Sequence, residues 1–404
     1  MTRRRQSWPS RASSVSEACE RTASVTSLGR WLTAALITAA GSSSFGQTPS
    51  FSLEAQQRLL GGSGSAAAET LARRQQLVSE GESRLAAGDA EGALRAFESA
   101  ASIVHAADVE LGLVRTYMQA GEYRKALTFG AHAAGAHREL PGGMALYTWL
   151  LHAGGQRAFA QRMLDEWLVR VPNDPVLLQA RRELSGLSPR AEGLLAIPPI
   201  RIAPNDGSGR VVTSASVAGS AVLLPNGRQV VTSARAVEGA RRVWVRNGLG
   251  RTAEGRLIRR IENVALLFEL DTPLDEPTGW QAPSAAPPAG SPSYLVEFAL
   301  SDDAAPAWPI LHAGFFGRQR SAESARPLGI DAPPGPHGGP VFDRYGRVAG
   351  IAVSAPDGSN VLLPIESFLS LPSASDSQSS VAPMALDALY EAALRVSLQI
   401  IVER

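Results

Sequence analysis

Cysteine is all but missing: Cys19 is the only one in 404 residues. Neither a disulfide framework nor a cysteine-based metal site can form within one chain. Lysine is as scarce, with Lys125 alone against 38 arginines. That substitution throughout the chain reads as a coding bias. A nucleic-acid binder would instead gather its charge on one face or arm, and the formal net charge here is only +1. Arg251, Arg256, Arg259 and Arg260 make one local basic patch; nucleic acid is not expected as a partner. Histidine occurs six times, at His105, His132, His137, His152, His312 and His337. None falls in an HExxH pattern, and none reads as paired with a carboxylate at ligand spacing, so no metal or other cofactor is expected.

Long apolar runs are missing too. Residues 31–41, Trp-Leu-Thr-Ala-Ala-Leu-Ile-Thr-Ala-Ala-Gly, follow Arg30 and lead into mostly small residues up to Gly46. The order basic, apolar, small is that of a secretory signal peptide, and the apolar part is too short for a comfortable bilayer span. Residues 1–46 are therefore expected to be a signal peptide, with a membrane leader as the alternative. Cleavage would remove Cys19, in keeping with an oxidising periplasm. The expected location is the periplasm or the exterior, with inner-membrane anchoring as the alternative.

What is present falls into distinct textures. Residues 47–69 read as a linker containing Gly61-Gly-Ser-Gly-Ser-Ala. Residues 70–185 carry three turn signals, Ala87-Gly-Asp, Ala120-Gly-Glu and Gly154-Gly-Gln, with 33 and 34 residues between successive marker glycines Gly88, Gly121 and Gly155. Small residues recur after each turn at Ala93, Ala126 and Ala160, with Phe97, Tyr117 and Trp167 as the bulky residues nearby. This pattern resembles the tetratricopeptide repeat, a helix–turn–helix unit of about 34 residues whose apolar face is buried only by stacking on a neighbour. The resemblance implies a protein or peptide partner held through the helical repeats; a spacer or dimerisation arm is the plainer alternative. The aromatics Tyr123, Tyr147 and Trp149 read as core. Oligomeric state is not legible.

Residues 186–209, with Pro198-Pro199, read as a second linker. From 210 to 372 the texture changes to short strands divided by glycine turns. These run through Gly219–Leu224, Gln229–Ser233, Arg242–Arg246, Val264–Leu270, Ser293–Phe298, Ile310–Phe316, Val341-Phe342, Val348–Val353 and Asn360–Pro364. Strands of that length and spacing fit an all-β barrel pair.

Three segments in this region carry a more specific likeness. They are Val231-Thr-Ser-Ala-Arg-Ala-Val-Glu-Gly-Ala, Asn263-Val-Ala-Leu-Leu, and Gly335-Pro-His-Gly-Gly-Pro followed by Val341-Phe-Asp. In this order they resemble the His, Asp and Ser segments of trypsin-like serine proteases of the bacterial high-temperature-requirement kind. The resemblance implies a chymotrypsin-fold double β-barrel. It also places Arg235 at the histidine position, Asn263 at the aspartate position and His337 at the nucleophile position, a triad degenerate at all three places.

Arginine has no acceptor and stays protonated. Asparagine has no charge to stabilise an imidazolium, and His337 offers no hydroxyl. The backbone N–H groups of Gly335 and His337 would form a residual oxyanion hole, although Pro336 supplies no N–H of its own. A relocated chemistry would need His337 as base and a nucleophile such as Ser233. Arg235 is expected either to be a relic or to pair with Glu238, Glu262 or a partner carboxylate.

Residues 373–383 read as a polar linker, and 384–404 as one amphipathic helix with Leu386, Leu389, Tyr390, Leu394 and Leu398 on one stripe. The expected architecture is thus multidomain α and β: helical repeats, then a double barrel, then a C-terminal helix. The expected function is that of a secreted, catalytically inactive binding scaffold. Two alternatives stay open: a serine-type endopeptidase with non-standard catalytic residues, and a purely architectural envelope protein.

Overall fold

A computed structural model describes residues 65–136, 141–185, 211–261, 263–274, 280–319, 325–369 and 382–404. The expected leader, most of the first linker, all of the second, and nearly all of the third lie outside these residues.

Seven helices open the described chain: α1 (Ser65–Ala86), α2 (Ala90–Ile103), α3 (Ala107–Gln119), α4 (Tyr123–Ala136), α5 (Pro141–Ala153), α6 (Arg157–Arg170) and α7 (Pro175–Ser185). The first begins five residues earlier than the linker composition suggested. Gly88, Gly121 and Gly155 all sit in left-handed turns, with φ of 78°, 79° and 85°. An L side chain is disfavoured there, and this is why the marker glycines recur. Ala93, Ala126 and Ala160, the small residues after each turn, are completely buried.

Two closed six-stranded barrels follow. The first contains β1 (Ser216–Leu223), β2 (Gln229–Ser233), β3 (Arg242–Asn247), β4 (Thr252–Ile261) and β5 (Ala265–Leu270). The second contains β6 (Pro292–Glu297), β7 (Ile310–Phe316), β8 (Arg326–Ile330), β9 (Pro340–Asp343), β10 (Val348–Ser354) and β11 (Asn360–Pro364). Each barrel has its own filling. Leu223, Val230, Val245, Phe268 and Ile400 pack in the first; Leu295, Phe316, Val341, Ala352 and Leu362 pack in the second.

The C-terminal segment corrects the expectation of one long helix. Helix α8 (Leu386–Val396) ends at Ser397, and residues Ser397–Glu403 form β12. This strand lies between β1 and β3, pairing antiparallel with Ser216–Val222 on one side and Arg242–Asn247 on the other. It is the sixth stave of the first barrel. The residues responsible are Ile400, Ile401 and Val402, all fully buried. β-Branched side chains favour a pleated, packed surface over a helix. Leu398, which continued the helical stripe on paper, faces the barrel core instead.

The helical array rests directly on the barrels, and one apolar cluster runs from Leu77 through Leu150 to Ile351 and Leu394. Tyr123 of α4 meets Tyr390 of α8 edge-on, with ring centroids 4.4 Å apart. Their hydroxyls donate to Leu150 O and Pro309 O, both at 2.7 Å. Trp149 packs against Trp308 with centroids 4.9 Å apart and planes inclined at 50°, and Arg124 pairs with Asp387 at 3.0 Å. Tyr123 and Trp149 are therefore core, as their pattern suggested, while Tyr147 is only partly covered.

Candidate functional site

The three segments singled out by their motifs converge where the two barrels meet. β2 and β5 are neighbours, with Ser233 opposite Ala265, and Ala234 N donates to Val264 O at 2.9 Å. Arg235 and Asn263 thus leave the same end of the first barrel. The loop before β9 reaches them from the second barrel. His337 O accepts from Ser220 N at 3.3 Å. A Cβ on Gly338 would lie 2.2 Å from Ser220 O and 2.6 Å from Thr232 Oγ1. With φ at 114°, that position admits glycine alone.

The side chains do not converge as their backbones do. Arg235 sits on a single 3₁₀ turn (Ala234–Val237), is exposed, and forms no ion pair among the described residues. Of its expected partners, Glu238 is exposed and Glu262 lies outside the described residues. Asn263 is exposed in the turn before β5, with φ of 58°. His337 takes the opposite course. Its φ is 47°, and it is only 4% exposed. Among the described residues, Asn263 and His337 are the only non-glycines with positive φ. Asn and His are among the types that tolerate that region best.

His337 is built into the second barrel. Its Nδ1 lies 2.9 Å from Glu297 Oε2 at the end of β6, and His312 Nε2 of β7 stands 4.0 Å from the other oxygen of the same carboxylate. His152, in the last turn of α5, continues this row from the helical array. Burial pushes its imidazole down to about 4, with Arg157 and His312 adding to the shift. Burial also holds His312 below the ordinary histidine value, against the pull of Glu297. The row His152, His312, Glu297 and His337 has no sequence motif. Glu297 precedes His337 by 40 residues, and the one hint was a carboxylate at the end of an otherwise apolar strand.

Chemically, the seam holds a carboxylate-oriented imidazole, and among the described residues no serine or threonine hydroxyl is hydrogen-bonded to it. Ser233 is 1% exposed on β2, and no hydrogen bond joins it to His337. A serine protease needs that bond, or an approach to it, to activate the hydroxyl. The backbone N–H groups of Gly335 and His337 form no backbone hydrogen bond among the described residues. They stand beside the buried imidazole, and Ser354 Oγ closes the loop by donating to Gly335 O at 2.5 Å.

A second cluster corrects the expectation that no histidine pairs with a carboxylate. His105 and His132 both approach Glu110, at 2.6 and 3.1 Å. Five and 22 residues separate them from it in sequence, so no spacing motif could have shown it.

The profile of the trypsin-like peptidase domain matches residues 203–351. No curated protein sequence matches the chain. Among solved structures, the HtrA-type protease AlgW with decapeptide is 17% identical, with a TM-score of 0.31, covering 37% of this chain and 48% of that one. The serine endoprotease from Yersinia pestis is 14% identical at 0.31, covering 38% and 60%; Deg5 is 16% identical at 0.30, covering 38% and 84%. The chain thus spans about half the length of AlgW. The matched profile and the two closed barrels give residues 211–403 a trypsin-like, chymotrypsin-type fold.

Proposed function

We propose that this chain is a trypsin-fold protein without protease chemistry, exported to the bacterial envelope, whose helical array holds an extended peptide or protein segment. The observation that carries the first half is His337. The nucleophile position is filled by a buried imidazole fixed to Glu297 at 2.9 Å, while Arg235 and Asn263 stand where a base and its orienting acid would be needed. Arginine cannot accept the proton that a serine-type attack must give up.

The binding half rests on the array. Tetratricopeptide-like spacing supports a partner-binding role, and a groove of about 160 Å³ is lined by Met144, Tyr147, Met163, Trp167 and Arg170. Soft and aromatic side chains with one cation suit a segment that presents an apolar residue beside a carboxylate.

Purified protein should neither hydrolyse casein nor take up a fluorophosphonate probe. Turnover that disappears on Ser233→Ala would overturn the reading. Selection from a random peptide library should yield ligands whose binding falls at least tenfold in Trp167→Ala. A chain that retains no peptide would favour the architectural alternative. Amino-terminal sequencing of the protein made in a bacterial host should find cleavage near residues 40–47, and an intact leader in the cytoplasm would reject export.

A further inference from the structure

The helical array carries a cluster of nitrogen and oxygen donors that the trypsin-like fold does not use. His105 lies in the short connection between α2 and α3, Glu110 in the first turn of α3, and His132 on α4. The imidazoles are 42% and 53% exposed, whereas the Glu110 side chain is 0% exposed. Both rings direct Nε2 at one carboxylate oxygen, at 2.6 and 3.1 Å. Their centroids are 5.8 Å apart, with the planes inclined at 59°. One donor atom from each residue lies within 4.8 Å of the other two.

Those dimensions suit a metal ion. A tetrahedral ion with bonds of about 2.0–2.2 Å sets its donors about 3.3–3.6 Å apart. The two histidine–carboxylate separations are shorter than that by about 0.2–1 Å, a change that half-exposed rings reach by rotating outward. Two imidazoles with one carboxylate form a borderline donor set. It selects zinc-class ions over magnesium or calcium, which prefer all-oxygen surroundings. Because both rings face solvent, water can complete the coordination.

We propose that His105, Glu110 and His132 form a binding site for a zinc-class divalent transition-metal ion, which ties the α2–α3 connection to α4. The site is independent of the barrels and of the peptide-binding reading. If peptide binding fails, it is untouched; if the metal fails, the groove formed by α4, α5 and α6 is untouched.

The test is titration of chelator-treated full-length protein with Zn²⁺, with Mg²⁺ as control and Co²⁺ as a spectroscopic probe. One Zn²⁺ should bind per chain, and Co²⁺ should give the ligand-field spectrum of a nitrogen–oxygen site. His105→Ala and His132→Ala should each weaken Zn²⁺ binding at least about tenfold, the loss seen when even an outer-shell partner of a ligand is removed. Both histidines are half exposed, so their variants should keep the wild-type circular dichroism even if Glu110→Gln does not fold. Absence of saturable Zn²⁺ binding would overturn the proposal, as would binding that survives both histidine variants unchanged. Either result would leave the cluster as hydrogen bonds alone.

Discussion

The two barrels have the same strand number and opposite habits. The second is closed by six strands that follow one another between residues 292 and 364. The first is closed by borrowing: β12, at the far end of the chain, fills the gap between β1 and β3. The difference extends to the site. The first barrel presents its two motif positions, Arg235 and Asn263, to solvent. The second has absorbed its own, His337, into a buried row with Glu297 and His312. A trypsin-like frame thus treats its three motif positions in two ways. One half leaves Arg235 and Asn263 at the surface, where few contacts constrain them, and the other turns His337 into packing.

The sharpest way to break this contrast is to remove the borrowed strand. Truncation after residue 383 takes away a strand paired on both sides, together with the buried Leu398, Ile400 and Val402. The expected loss exceeds the whole stability of an ordinary domain, about 5–15 kcal/mol. The measurement is protease resistance and circular dichroism of the truncated chain; a soluble, cooperative product would mean that the first barrel closes alone. Next in size is Glu297→Ala, which leaves His337 and His312 buried without their carboxylate. Removing one partner of a buried pair costs about 3–5 kcal/mol, to be read from denaturant midpoints. A loss under about 1 kcal/mol would show that His337 is only a relic.

His152 gives the third test, through pH. Its folded imidazole is held at about 4, below the ordinary 6.5 of an unfolded chain. The unfolded state therefore binds more protons between those two values. Stability from this group is complete above pH 6.5 and drains away as pH falls towards 4, by roughly 3 kcal/mol in all. His312 works in the same direction. In His152→Gln the slope of stability against pH over that window should shrink without vanishing, and an unchanged slope would remove His152 from the account. The smallest effects belong to the first barrel. Arg235→Ala and Asn263→Asp should each alter stability by less than about 0.5 kcal/mol, as exposed positions do. Combining Arg235→His, Asn263→Asp and His337→Ser should still fall short of full protease activity on casein, because a misplacement of about 1 Å at a reacting group costs roughly 100-fold. Ordinary protease rates would contradict that expectation.

Much of the frame was legible because it depends on local chemistry. Turn glycines announced the helix pairs, and alternating valine and leucine runs announced nine of the strands. The three missed strands have separate causes. β4 runs through Arg256, Arg259 and Arg260, which lie exposed on the barrel wall; Arg256 pairs with Glu269 there at 2.6 Å. Arginine-rich exposure hides a strand from any search for apolar alternation. β8 contains Pro327 and Gly329, both poor strand formers. β12 continues directly from a helix, and only its partners 150 or more residues away make it a strand. The site was legible in position and not in detail. Motif order found Arg235, Asn263 and His337, while Glu297, His312 and His152 come together only in three dimensions. The same holds for His105, Glu110 and His132.

Closure of the first barrel by the last strand also sets a clock. When the ribosome finishes β3, its partner is still about 150 residues from being made, and at roughly 5–20 residues per second that is a wait on the order of ten seconds. Until then β1 and β3 keep open edges, the kind that pair with another chain. Such long-range pairing also folds slowly once it becomes available. The nascent protein therefore carries this aggregation hazard from the making of β3 until β12 is made. A premature stop anywhere before β12 would release a chain whose first barrel has no means of closing.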